Sequence, residues 1–306
     1  MTIFLLIIGI SALILIHEFG HFAAAKFFGL LVEEFGLGFP PRLFSKKIGE
    51  TLYSVNLLPF GGFVKIHGEK PELTAETAVA KSRSFAYLPV SKRAAIIVAG
   101  VVMNFLFGAL IMASVYAIGV PNAVIVGTVS PDSPAAHAGM ASGDKILGFE
   151  KTADFIAFVD ASRGAPVDIS FVHDGQTNTV PMTPRMTPPE GEGALGISIT
   201  DTGIARTPVF VALWQGFIVS GQIIYGIAIA LVNLVAGIFT GSAALENVVG
   251  PVGIFSVAQQ TAQFGLVYLL QLIALISLNL TVLNAIPIPA LDGGRLLFLL
   301  IEKIKG

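Results

Sequence analysis

Cysteine is absent from the chain, so neither a disulfide framework nor a thiolate metal ligand can be built. Charge is scarce as well. Only 12% of the residues are Asp, Glu, Lys or Arg, against roughly 25% in soluble domains. A net charge of −2 leaves no basic stripe to neutralise phosphates, so no nucleic-acid partner is expected. Tryptophan occurs once and phenylalanine 23 times, and in so apolar a chain the phenylalanines are read as lipid-facing and packing residues. What fills the sequence is hydrophobic: 54% apolar residues with a mean hydropathy of +0.80. This is a membrane protein, and the lipid bilayer is its first partner.

The apolar runs divide the 306 residues. A first run covers residues 3–25, long enough to span, since about 20 residues suffice. A cleaved signal peptide fits it poorly, because no positive region precedes it and its apolar part exceeds the usual length. We expect a first transmembrane helix over 1–28, a loop over 29–93 with a strand-like patch TLYSVNLLPFGGFVKI at 51–66, and a second span over 94–119. Residues 120–206 hold ten of the 20 acidic residues, in alternating segments such as AVIVGTV and VDISFV punctuated by Gly, Pro, Asp and Ser. That pattern predicts a mainly β extramembrane module. Apolar character returns over 207–263 and in a last transmembrane segment over 264–306.

Lys26, Arg42, Lys46, Lys47, Lys65, Lys70, Lys81, Arg83, Lys92 and Arg93 are ten of the 18 basic residues, and none precedes the first span. The positive-inside tendency then makes the 29–93 loop cytoplasmic, and the N-terminus and the β module extracytoplasmic. A last span running from outside to inside cannot follow a segment that crosses once. Residues 208–239 are therefore expected to lie along the membrane surface, where Trp214, Gln215, Gln222 and Asn233 suit an interfacial helix; a tight hairpin is the alternative.

Within the first run stands LILIHEFGHFAAAKFF. His17, Glu18 and His21 match H-E-x-x-H, and four-residue spacing stacks both imidazoles on one helix face, within reach of one cation. Glu18, beside that face, could take a proton from water at the metal. Ionisable groups near the bilayer centre cost about 2.5–3.5 kcal/mol each even on insertion scales, which marks the cluster as functional; a polar helix contact or a proton relay is the plainer alternative. A catalytic zinc wants three protein ligands and one open position. Without cysteine the third is His, Asp or Glu. His67, His137 and His173 fall in polar stretches, whereas Asp292 is the only carboxylate in the last apolar stretch before its charged end, in NAIPIPALDGGRLLFLL. Pro287, Pro289, Gly293 and Gly294 would break a helix there, and irregular backbone at membrane depth is tolerated where it lines a site. A kinked helix with Asp292 paired to Arg295 is the simpler alternative. At 1.5 Å per residue His17 lies about 21 Å into the first span, and Asp292 about 28 Å along a last span that starts near Ile273.

HEFGH, PFGGFVKI, VVGPVGIF and NAIPIPALDGGR, in that order along nearly the whole chain, resemble the site-2 protease family, nearest to its bacterial RseP-type branch of intramembrane zinc metalloproteases. The resemblance implies Zn2+ on His17, His21 and Asp292, with Glu18 as general base and Asn284 against the substrate backbone. It implies hydrolysis of peptide bonds within transmembrane segments of single-span proteins, such as anti-sigma factors or signal-peptide remnants, at the bacterial inner membrane. GTVSPDSPAAHAGMASGDKILGFE is similar to the first half of a PDZ domain, a module that takes extended peptides by strand addition or serves as a size filter. The 51–66 patch is similar to the family's membrane-associated β-hairpin, whose edge could hold an unwound substrate, with Gly61, Gly62 and Phe63 in contact. Asn104, alone and polar in GVVMNFLF, either touches substrate or bonds a neighbouring helix. The fold class expected is thus an α-helical polytopic membrane protein with a cytoplasmic-side β-hairpin insertion and one extracytoplasmic PDZ domain. The chain departs from the family in having room for one PDZ domain where some members carry two. It also ends at IEKIKG, where members usually continue to one more spanning helix. Two rival readings are a catalytically inactive PDZ scaffold and a zinc-binding transporter or sensor.

Overall fold

The computed structural model describes residues 2–69, 81–241, 250, 253–254, 257–258, 261 and 265–305. It divides into two compact units, one of residues 1–114, 213–259 and 268–306, the other of residues 115–212 and 260–267. The VVGPVGIF stretch lies mostly outside the described residues.

The first unit is built from apolar helices. Helix α1 (Thr2–Phe27) closes as Gly29 N donates to Lys26 O and Leu30 N to Ala25 O, a C-terminal motif that satisfies otherwise orphaned carbonyls. Strands β1 (Val32–Ile48) and β2 (Thr51–Ile66) follow. Their register is folded over. Glu34–Leu37 pair with Lys65–Gly62 in opposite sense and with Leu52–Val55 in the same sense, while Arg42–Ile48 turn back on Asn56–Thr51. Two long strands thus act as four segments, ordered 42–48, 51–58, 32–39 and 62–66, with 62–66 at an edge. The sequence reading expected a strand only over 51–66; the Pro40-Pro41 pair interrupts the pattern that would have revealed β1. Helix α2 (Val90–Ile118) starts four residues before the expected Ala94, because Pro89 O accepts from Lys92 N and Arg93 N and sets its first turn.

The second unit carries β3 (Val120–Val129), β4 (Lys145–Ile146), β5 (Val167–His173), β6 (Gln176–Met182) and β7 (Ile197–Ile204) in one antiparallel sheet of order β6-β5-β4-β3-β7. Helices α3 (Pro134–His137) and α4 (Thr152–Ala161) complete it. Ser133 caps α3 by accepting from Ala136 N, as a serine at that position does. Val124, Ile146, Phe155, Ile169, Phe171 and Met182 form its apolar core.

The chain then forms α5 (Val209–Thr240), α6 (Leu266–Ala285) and α7 (Asp292–Lys305). Among the described residues four helices are long and apolar enough to cross a membrane: Ile7–Phe27, Val90–Ile118, Val209–Thr240 and Leu266–Ala285. The last apolar segment is two helices, with Ile286–Leu291 between them, and α5 is one continuous helix, not a hairpin. Packing gives their directions. Gly20 lies against Ala99 and Met103, and His21 meets Ile96 while His17 meets Asn104, so α2 runs antiparallel to α1. Gly9 lies against Ile273, and nineteen residues later Asp292 meets His17 and His21, so α6 runs with α1. The chain therefore leaves α2 and enters α6 on the same side of this helical layer. Along α5 only Ala212, Gly216, Ser220 and Gly237 are buried.

Candidate metal centre and active site

Helical spacing brings His17 and His21 together with their ring centroids 4.7 Å apart and ring planes perpendicular. Asp292 reaches them because the stretch after α6 folds back on itself: Leu291 N donates to Ile288 O, and Gly294 N to Leu291 O. A side chain at Gly293 would overlap the carbonyls of Ala285 and Ile286, and one at Gly294 would overlap that of Ile288. The two glycines in ALDGG are thus what lets the backbone close tightly enough to aim Asp292 inward.

The donor atoms form a near-equilateral triangle. His17 Nε2 and His21 Nε2 are 3.2 Å apart, and Asp292 Oδ2 is 3.1 Å from the first and 3.2 Å from the second. All three residues are buried, at 9%, 6% and 8% exposure, and among the described residues they are the cluster whose ligand atoms could hold a metal ion. Asp292 Oδ2 makes no hydrogen bond in spite of these approaches. Its neighbours converge on a point between them, and donors of a tetrahedral ion with bonds of about 2.0–2.1 Å would stand about 3.3 Å apart. Two imidazole nitrogens and a carboxylate oxygen therefore fit a zinc ion, with a fourth position open.

Glu18 lines the same cavity as the three donors. Its Oε2 accepts from Val64 N at 3.1 Å, so the edge segment 62–66 holds the carboxylate from the backbone. A cavity of about 80 Å³ opens there, lined among others by His17, Glu18, His21, Asp292, Glu69 and Arg295. Arg295 pairs with Glu69, and its distance to Asp292 Oδ1 is 3.8 Å. The Asp292–Arg295 pair is thus present through Oδ1, while Asp292 turns its other oxygen to the histidines. Glu69 was not singled out from the sequence, and no local signal marks it, because its partner is 226 positions away.

The remaining expected contacts are distributed unevenly. Gly62 lies 3.8 Å from Glu18 Cγ, measured from where its Cβ would be, and Phe63 packs over Gly36, whereas Gly61 faces Phe39. Asn284 is half-buried in the last turn of α6 and does not line the cavity. Asn104 requires correction as a substrate contact. It is fully buried, does not line the cavity, and its amide lies 3.2 Å from His17 Nδ1. The sequence signal that could have found this was Gly100, four residues earlier on the same helix face, where a Cβ would overlap the His21 ring.

Taken together, apolar helices surrounding a buried His-His-Asp donor set, with a backbone-held carboxylate lining the same cavity, define a polytopic membrane metallohydrolase architecture. The sequence pattern of peptidase family M50 matches residues 5–306, and the chain belongs to that family. A relative from Clostridium perfringens (strain 13 / Type A) is 34% identical over 310 residues, which cover 99% of this chain and 89% of the relative. The regulator of sigma-W protease RasP of Bacillus subtilis (strain 168) is 29% identical over 391 residues, covering 100% and 90%. The zinc metalloprotease RasP of Shouchella clausii (strain KSM-K16) is 30% identical over 380 residues, covering 97% and 89%. The chain is thus a bacterial membrane protein of a peptidase family.

Proposed function

We propose that the chain is a zinc metalloendopeptidase that cuts peptide bonds within transmembrane segments of single-span membrane proteins. The single observation that carries this is the triangle of His17 Nε2, His21 Nε2 and Asp292 Oδ2, with 3.1–3.2 Å sides and Glu18 lining the same cavity. Zinc held there supplies polarisation of the scissile carbonyl and acidification of water. Glu18, oriented by the Val64 amide, takes the water proton and returns it to the leaving amine, so no covalent intermediate is needed.

A helix is a poor substrate because its carbonyls are bonded internally, so the target must be held extended. The edge segment 62–66, hydrogen-bonded to Glu18 through Val64 N, can add such a strand, with Gly62 and Phe63 beside it and Gly61 at its start. Asn284 would reach the substrate backbone from the end of α6. Residues 120–206 read as a PDZ domain. In support, β7 is a sheet edge beside a groove of about 230 Å³ lined by Phe155, Val159, Leu195 and Ile197, a setting for strand addition. The basic residues of the 29–93 loop support a cytoplasmic side for it, with the N-terminus and PDZ domain outside; the few buried residues of α5 support its lying along the outer interface. The substrates this suits are anti-sigma factors trimmed on the outside, or leftover signal peptides.

The test is cleavage of a single-span reporter co-reconstituted with the full chain. Wild type is expected to cut within the span, and Glu18→Gln to retain zinc and folding while losing cleavage. A scaffold or a transporter would show no such difference, and cleavage surviving in Glu18→Gln would remove the mechanism.

A further inference from the structure

A metal-bound imidazole must present a lone pair to the ion, so a neutral histidine that ligates through Nε2 carries its proton on Nδ1, and that proton needs an acceptor. For His21 the acceptor is plain. Its Nδ1 is 2.8 Å from the carbonyl oxygen of Ile96, an atom that can only accept. For His17 the corresponding atom faces Nδ2 of the Asn104 side-chain amide, 3.2 Å away. An amide offers a donor at one end and an acceptor at the other, and the two ends are interchangeable by rotation.

Only His17 decides which end faces it. Oδ1, at the other end of the amide, is buried with no hydrogen-bond partner, and turning the amide over brings that acceptor to His17. The backbone here is fixed independently, because Ser277 of α6 donates to Asn104 O at 2.8 Å, and Gly100 lets α2 lie directly against both rings. With Nδ2 toward His17, the ring would carry its proton on Nε2 and point it at Asp292, 3.1 Å away. With Oδ1 toward His17, the proton sits on Nδ1 and the Nε2 lone pair is free for the ion.

Resting on the zinc reading above, we propose that Asn104 is the positioning residue of His17. Its side-chain oxygen accepts the Nδ1 proton and so sets the ring to bind metal, as Ile96 O does for His21. Helix α2 thereby supplies the outer partner of both histidine ligands without touching the ion.

The test is zinc affinity of the full chain in detergent, by chelator competition, together with the visible spectrum of the cobalt-substituted protein. Asn104→Leu keeps the branched shape and removes the acceptor; it is expected to weaken zinc binding about 10- to 100-fold and to alter the cobalt spectrum while the melting temperature holds. Asn104→Asp, which can only accept, is expected to stay close to wild type in both readouts. Where Asn104→Leu does not fold, Asn104→Ala carries the same expectation. Equal affinity in wild type and a folded Asn104→Leu or Asn104→Ala would overturn the inference. So would a loss in Asn104→Asp as deep as in Asn104→Leu, since the amide would then be acting as a donor. A wild type that binds no zinc would instead overturn the triad reading itself, and the inference with it.

Discussion

The two units of the chain are built inside out with respect to each other's chemistry. In residues 115–212 the interior is Val124, Ile146, Phe155, Ile169 and Phe171, and acidic and basic side chains such as Asp160 and Arg163 pair on the surface. In the helical unit, Val98, Val102, Leu106 and Leu110 of α2 are exposed, while His17, His21, Asn104, Ser277 and Asp292 are buried. Water drives the first arrangement, because apolar area removed from it contributes about 25 cal/mol per Å². In a bilayer that drive between helices vanishes, and close contacts through small residues and buried polar groups specify the packing instead. A polar side chain in the helical unit is therefore information about function, whereas in the β unit it is mostly solvated surface.

The contrast can be broken from either side. The largest effect is expected from Glu18→Gln, which removes the proton acceptor and should lower reporter cleavage by about 10²–10⁴-fold, with zinc content and melting unchanged. Phe155→Ala in the β unit should cost that unit about 3–5 kcal/mol, read as an early calorimetric transition of the full chain, while zinc per chain stays at the wild-type value. Gly100→Ala should do the reverse. Its methyl group meets the His21 ring, so overpacking of about 1–3 kcal/mol falls on the helical unit and zinc affinity drops, with the β-unit transition in place. The smallest effect is electrostatic. His173 is held above the ordinary histidine pKa by its hydrogen bond to Asp144, 2.8 Å away. A raised folded-state pKa stabilises fully below the unfolded value and is lost as pH rises through the folded one. The β-unit transition should thus fall slightly as pH increases from below 6.5 into the alkaline range, and His173→Gln should flatten that slope.

How far the sequence could be read follows the same division. The His17–Glu18–His21 spacing was legible because helical period alone decides which side chains stack. Asp292 was legible because prolines and glycines stand where a spanning helix would not tolerate them. Alternation and turn residues marked the 120–206 module. What stayed hidden depends on which helix faces which. Asn104 reads as a lone polar residue until α2 is laid against α1; the Glu69–Arg295 pair joins distant segments; and β1 is masked by Pro40-Pro41. The crossing number of α5 could not come from hydropathy, which sees only a long apolar helix. The parallel directions of α1 and α6 bear on it only together with the segment between α5 and α6, most of which lies outside the described residues.

The central claim is that three buried side chains from the two ends of the chain hold one zinc ion. Its most direct test is elemental analysis of metal-replete, detergent-purified wild type beside His21→Ala and Asp292→Ala. One zinc per wild-type chain, lost in both variants, is the expected result. Zinc retained at wild-type stoichiometry in Asp292→Ala, or absent from wild type, would contradict it.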